Sequence, residues 1–272
     1  GLSSPARTGI AAGAVLFVTV LVLMIVGAVE PHDLITPGER GPSAEIIAQD
    51  FGADAVPADK TGYDGQQTYA IARHFPDLDA AADQTDSARY RMLRILPAVI
   101  AWPAPAGTPT VLVLLAVNVV GFGLAVTAIE RLGATYGLGP RIALASAAPL
   151  LLGVFGTTTG PIAWGLALTA LDRTVRDRHL EAVAILTIAA LCRESVAATG
   201  AFVAAALLWT RRREGIPLVP LYAIPGLVVL AWFAFLTAVV GGRFAGRTDP
   251  LAFLELRGSL IVVPAVVFLL GA

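Results

Sequence analysis

Charge is what this chain has least of. Only 14% of its 272 residues are Asp, Glu, Lys or Arg, against roughly 25% in soluble domains. Its 19 basic and 20 acidic side chains nearly cancel, leaving a net charge of −1. That balance argues against nucleic acid as a partner, because binding it requires a basic face. Cysteine occurs once, as Cys192, which rules out an internal disulfide and a cysteine metal cluster. The histidines, His32, His74 and His179, are scattered and show no zinc-ligand spacing. No internal repeat and no low-complexity tract interrupts the sequence.

In place of charge there is apolar sequence, 56% of the chain, in runs of membrane-spanning character. The first run, 10–29, suits a hydrocarbon core of ~30 Å at about 1.5 Å rise per residue. It is longer than the apolar core of a cleaved signal peptide and reads as a retained span. Further spans are expected at 110–129, 141–155, 161–171, 180–191, 196–209, 217–239 and 256–271, which makes eight passes. Several are shorter than the ~20 residues a free-standing span needs. Short helices joined by the polar turns "FGTTTGP" (155–161) and "LCRESV" (191–196) predict helices that line a cavity, where broken backbone is tolerated.

The expected fold class is therefore all-α. The expectation is a polytopic transmembrane helix bundle, one membrane domain over 1–272, with a large, partly helical external loop at 30–109 between the first two spans. Within it, "ILPAVIAWPAP" (95–105) reads as an interfacial or re-entrant helix ended by its prolines. The chain stops inside an apolar run, as a fragment truncated at its C-terminus would. Basic connectors "DRTVRDRH" (172–179) and "TRRREG" (210–215) belong in the cytoplasm by the positive-inside rule. Alternation then places the N-terminus inside and the 30–94 segment outside. In that segment acidic residues outnumber basic ones, 12 to 6.

Three polar clusters stand out against this background. In "YDGQQTYAIARHF", Asp64 followed by Gln67 fits a capping box at a helix start, so Asp64 reads as a cap, as a proton acceptor, or as both. Gly62 and Gly65 are turn residues, or positions that let a large ligand approach the backbone. In "DSARYRMLRILPAVIAW", Asp86 or Ser87 caps a helix on which Arg91 and Arg94 share one face. Those arginines either snorkel to lipid head groups or present their planar forks to a phosphate. In "ALCRESV", Arg193 and Glu194 interrupt an apolar stretch, where charge costs roughly 2.5–3.5 kcal/mol per residue on insertion scales. They are expected at an outer turn between two short helices, as an ion pair of the bundle or as a substrate-binding pair. Tyr63, Tyr69 and Tyr90 are weaker signals, and Asn118 and Thr157–Thr159 read as helix-packing or turn residues.

Taken together these motifs resemble the GT-C superfamily of polytopic membrane glycosyltransferases. The likeness is greatest to bacterial members with a Gly-Tyr-Asp-Gly-Gln segment in the first external loop, matched here by Gly62, Tyr63, Asp64, Gly65 and Gln66. A Tyr-Arg stretch leading into Arg-Ile-Leu-x-Pro is matched by Tyr90, Arg91, Arg94, Ile95, Leu96 and Pro97. A later Arg-Glu is matched by Arg193 and Glu194. Gln67 and Thr68 stand where an aromatic pair is commoner, and no second external acidic motif or C-terminal soluble domain is evident.

The resemblance implies an enzyme of the bacterial plasma membrane that moves a sugar from a polyprenyl-phosphate donor to an envelope glycan or glycolipid acceptor. Asp64 would be the general base. Arg94 and Arg193 would stabilise the leaving phosphate, and Glu194 would orient Arg193 or bind a sugar hydroxyl. Tyr63, Gln66, Tyr90 and Arg91 would complete substrate binding. No metal ligands are implied, and the need for a divalent cation, Mg or Mn, stays open. Two rival readings share the same residues: a flippase or transporter of a lipid-linked saccharide, and a non-catalytic subunit of an envelope-polymer assembly.

Overall fold

A computed structural model describes residues 3–58, 60–134, 137, 140–210 and 216–240. Among these residues every regular element is helical. Three helices are long and apolar enough to cross a membrane: Ser4–Ile25, Thr108–Ala134 and Ile216–Val240. We label the first α1 and the second α7; the third comprises a short 3-10 turn followed by α13 (Val219–Val240). The expected span at 256–271 and most of the basic connector at 210–215 lie outside the described residues.

α7 is the spine of the molecule. Its 27 residues extend roughly 40 Å at 1.5 Å per residue, and it packs against α1 on one side and α10 (Gly160–Val175) on the other. Small residues make both contacts close, as is usual where no water drives helices together. A Cβ on Gly9 of α1 would overlap Thr127 and Gly123 of α7, and one on Gly165 of α10 would overlap the backbone of Gly121. α11 (His179–Cys192) lies against α10, and α13 packs on α11 and on α12 (Ala197–Thr210). Tyr222 of α13 fastens the end of this layer: its hydroxyl lies 2.7 Å from Thr174 Oγ1 and 3.1 Å from His179 Nδ1.

The expected span at 141–155 is instead two short helices, α8 (Pro140–Ala147) and α9 (Leu150–Phe155), interrupted beside Pro149. Proline has no N–H to continue a helical ladder and disfavours helical backbone in the residue before it. α10, α11 and α12 have 16, 14 and 14 residues, and are individually shorter than a free-standing span. The polar segment between α1 and α7 is densely folded. It holds α2 (Ala44–Phe51), α3 (Asp64–His74), α4 (Leu78–Asp83), α5 (Ala88–Met92) and α6 (Ile95–Ala101). With 7 residues, or roughly 10 Å, α6 is too short to cross a bilayer; it buries Ile95, Pro97, Ala98 and Ala101.

Polar ties anchor this segment to the bundle. Arg73 donates to Asp50 at 2.7 Å, joining α3 to α2, and the Gly107 N–H donates to the Tyr69 hydroxyl at 2.9 Å, just ahead of α7. Trp232 of α13 donates to the carbonyl of Met92 at 2.8 Å. α3 itself is enclosed, with every residue from Gly65 to Ala72 buried.

Candidate functional site

The site is built where the head of α3 meets three chain ends: α5 running into α6, the turn between α9 and α10, and the turn between α11 and α12. Asp64 is the first residue of α3, where a negative charge complements the helix dipole. Its carboxylate does not cap the helix. One oxygen accepts from Arg91 and the other from Arg94, the latter at 2.8 Å. The expected capping box is therefore absent: Gln67 accepts from the Asp86 N–H at 3.3 Å instead. Charge-assisted bonds to two guanidiniums outcompete neutral backbone donors. The cap expected at Asp86 or Ser87 is also missing. Ser87 precedes α5 without a side-chain capping bond, and Asp86 holds Arg91 through two bonds of 2.8 and 2.9 Å.

Arg94 is the hub. It is 5% exposed. Its Nε and Nη2 donate to the two oxygens of Glu194 at 2.9 and 3.1 Å, and Nη2 also reaches the Tyr90 hydroxyl. Its guanidinium stands 4.3 Å from the Tyr90 ring centroid, within cation–π range. Glu194 is 3% exposed, so burial of the pair is tolerable only because each partner's lone pairs or protons are met. Arg193 and Glu194 do lie at a turn between short helices, as expected. Glu194, however, orients Arg94, 100 residues away, rather than its neighbour Arg193. The backbone explains the divergence: Arg193 is extended, at φ −157° and ψ 114°, so consecutive side chains project to different sides.

Electrostatics follow from this geometry. Burial raises the proton affinity of Asp64, but Arg91 and Arg94, with a contribution from Arg193, more than offset it and hold the carboxyl below its ordinary value. Burial acts against the charged forms of Arg91 and Arg94 too. Their carboxylate partners, Asp86 and Asp64 for the one and Glu194 and Asp64 for the other, outweigh it. The Tyr90 hydroxyl is pushed up, mainly by burial. At neutral pH the cluster thus holds an ionised carboxylate among cations, the form in which it can accept a proton.

Asp64, Tyr90, Arg91, Arg94, Arg193 and Glu194 are brought together. Tyr63 and Gln66 are not. Tyr63 is 60% exposed, and its backbone N–H donates to the carbonyl of Thr36. Gln66 is buried and ties the loop, accepting from Gly38 at 3.1 Å and donating to Thr61 at 2.9 Å.

One of the three threonines read from the sequence as helix-packing or turn residues completes the wall. Thr157 and Thr158 bond to the carbonyls of Leu34 and Gly153, the turn roles expected of them. Thr159 is 1% exposed and its hydroxyl has no hydrogen-bond partner among the described residues. It lines a void of about 10 Å³ together with Asp64, Gln67, Thr68, Ile71, Arg91 and Arg94. That is room for about one water. A much larger cleft of about 470 Å³ runs along α1, α7 and α10 and does not touch Asp64. Among the described residues no group of three or more His, Cys, Asp or Glu is arranged to hold a metal ion.

No protein-family model matches the chain, and no curated protein and no solved structure is significantly similar to it.

Proposed function

We propose that the chain is a membrane glycosyltransferase of the GT-C type, transferring a sugar from a polyprenyl-phosphate donor to an envelope glycan or glycolipid. The observation that carries this reading is the ionised Asp64 carboxylate, gripped by Arg91 and Arg94 where a folded polar segment meets the ends of apolar helices. In this reading the polar segment lies on the external face of a bacterial plasma membrane. The N-terminus and the 172–179 connector lie in the cytoplasm, with eight passes in the complete bundle.

The acceptor O–H attacks the anomeric carbon and its proton passes to Asp64. The bond from that carbon to the phosphate oxygen breaks, and the lipid phosphate leaves as an anion countered by the arginines. Single attack at that carbon inverts it. Because the void beside Asp64 is only about 10 Å³, Arg91, which also bonds the 46% exposed Asp86, swings away as substrate enters.

The reading is tested in proteoliposomes of the full chain, offered a panel of short-chain polyprenyl-phosphate sugars. Release of the free lipid phosphate with a glycosylated acceptor supports it. Movement of the intact lipid-linked sugar between leaflets, without cleavage, would replace it with the flippase reading. Neither event, in a protein that only co-purifies with other envelope components, would replace it with the assembly-subunit reading.

A further inference from the structure

The cleft of about 470 Å³ along α1, α7 and α10 has the size of a small-molecule site, roughly 300–1,000 Å³. From Val119 to Arg131 it follows α7 for roughly 18 Å at about 1.5 Å per residue. That is close to the depth of one leaflet, about half of a ~30 Å hydrocarbon core. Ile10 and Val120 line it and are each 57% exposed, so in a bilayer it opens sideways to lipid. Its two hydroxyls are used within their own helices: Thr127 donates to the Gly123 carbonyl at 2.9 Å, and Thr169 to that of Gly165 at 2.8 Å. The wall therefore offers an apolar face along its length and charge at one end.

That end holds Arg131, Asp172 and Arg173. Asp172 is 1% exposed, and one of its oxygens accepts from Arg176 at 2.9 Å. Its other oxygen, Oδ2, has no hydrogen bond among the described residues. Arg131 Nη1 stands 3.6 Å from that oxygen, and Arg173 Nε stands 3.6 Å from Glu181, both beyond the ~2.7–3.2 Å of a hydrogen bond. Arg131 reaches Ser3 Oγ at 3.4 Å, and Arg173 Nε, like Asp172 Oδ2, is without a hydrogen bond among the described residues. A buried carboxylate oxygen short of a donor costs stability. Here it stands at the end of an apolar cleft, beside two guanidiniums with N–H groups to offer. The ligand that meets all of this has a hydrocarbon chain, a cationic donor and an anionic acceptor.

We propose that the cleft seats one phospholipid with a primary ammonium head, phosphatidylethanolamine. One acyl chain lies along α7, the ammonium donates to Asp172 Oδ2, and the phosphate accepts from Arg131 and Arg173. A choline head has no N–H and cannot serve Asp172. A glycerol head brings only neutral hydroxyls and sets the phosphate near Asp172 with no cation of its own between them. In the orientation proposed above, the lipid comes from the cytoplasmic leaflet. The site stands apart from sugar transfer, since the cleft does not touch Asp64, and its occupant ties α1 to α10 across α7.

The test is native mass spectrometry of the full chain, stripped of lipid in detergent and titrated with phospholipids of matched acyl chains. The wild type retains one phosphatidylethanolamine, about 10–100-fold more tightly than phosphatidylcholine, the worth of a hydrogen bond to a charged group. Phosphatidylglycerol is also the weaker ligand. Asp172→Asn keeps an acceptor but loses its charge, so it weakens phosphatidylethanolamine by about 5–10-fold and leaves phosphatidylcholine unchanged. Arg173→Gln weakens both by a similar factor. Ala14→Phe fills the cleft from an exposed position on α1 that lies away from the charged end. It weakens both by about 10-fold, the loss of roughly two buried methylenes. Thermal unfolding identifies the variants that fold; the head-group series in wild type and Ala14→Phe decide the matter if Asp172→Asn does not. Phosphatidylcholine or phosphatidylglycerol bound as tightly as phosphatidylethanolamine overturns the ammonium contact. Unchanged affinity in folded Ala14→Phe overturns the cleft as the chain's path, and a folded wild type that retains no lipid overturns the site altogether.

Discussion

The two ends of α10 carry two clusters of arginine and carboxylate that differ in how their charges are paired. At the C-terminal end Arg176 bonds Asp172 at 2.9 Å, Arg131 approaches the same carboxylate at 3.6 Å, and Arg173 faces Glu181 at 3.6 Å. Each of these cations has a carboxylate within 4 Å, although Asp172 Oδ2 and Arg173 Nε make no hydrogen bond among the described residues, and the helix dipole favours positive charge at that end. At the N-terminal end the same residue types are arranged against the dipole; among the described residues Arg193 is in no ion pair and the Thr159 hydroxyl in no hydrogen bond, and Asp64 is shared between two cations.

The largest effect on stability separates the two ends by burial. Arg94→Met leaves the Glu194 carboxyl, 3% exposed, without its guanidinium partner, and should cost about 3–5 kcal/mol in denaturant unfolding. Arg176→Met removes a cation that is 51% exposed but leaves Asp172, 1% exposed, with Arg131 at 3.6 Å, and should cost about 1–3 kcal/mol. Equal losses would erase the contrast. A smaller loss, about 1–3 kcal/mol, is expected of Gly65→Ala, because its Cβ would lie 2.8 Å from Thr157 Oγ1 and 2.9 Å from the Ile35 carbonyl oxygen. The same change should lower sugar transfer by moving the head of α3 off the turn that carries Thr159.

The smallest effect is a pH dependence. The Asp64 carboxyl titrates below its ordinary value of 3.8 in the folded chain, so its contribution to stability is present above that value and is lost as pH falls through the lower, folded one. The stability difference between wild type and Asp64→Asn should therefore stay level from about pH 7 to 5 and shrink below about pH 4. A difference that already shrinks near neutrality would mean that the carboxyl is not held by its arginines.

Much of the site is legible in the sequence because charge is so scarce in the chain. Asp64, Arg91, Arg94, Arg193 and Glu194 stand out as polar groups in costly places, and the structure gathers all five. The long apolar runs likewise mark out α1, α7 and α13. What the sequence could not carry is pairing. Asp64 and Gln67 have capping-box spacing, yet nothing local shows that two arginines about 30 residues on would claim the carboxylate. Glu194 reads as the partner of adjacent Arg193 until the extended backbone at 193 turns the two apart. Thr159 is one of three consecutive threonines, and only tertiary packing leaves its hydroxyl the one without a bond. The signal that could have found it is its place, directly ahead of a Pro-started helix and facing the same boundary as Asp64.

The most direct test of the central claim is turnover by Asp64→Asn beside wild type in proteoliposomes, at matched amounts of folded protein and with a donor the wild type uses. Loss of transfer by about 10²–10⁴-fold, with farnesyl phosphate binding retained, is the predicted result. Transfer at the wild-type rate would contradict it.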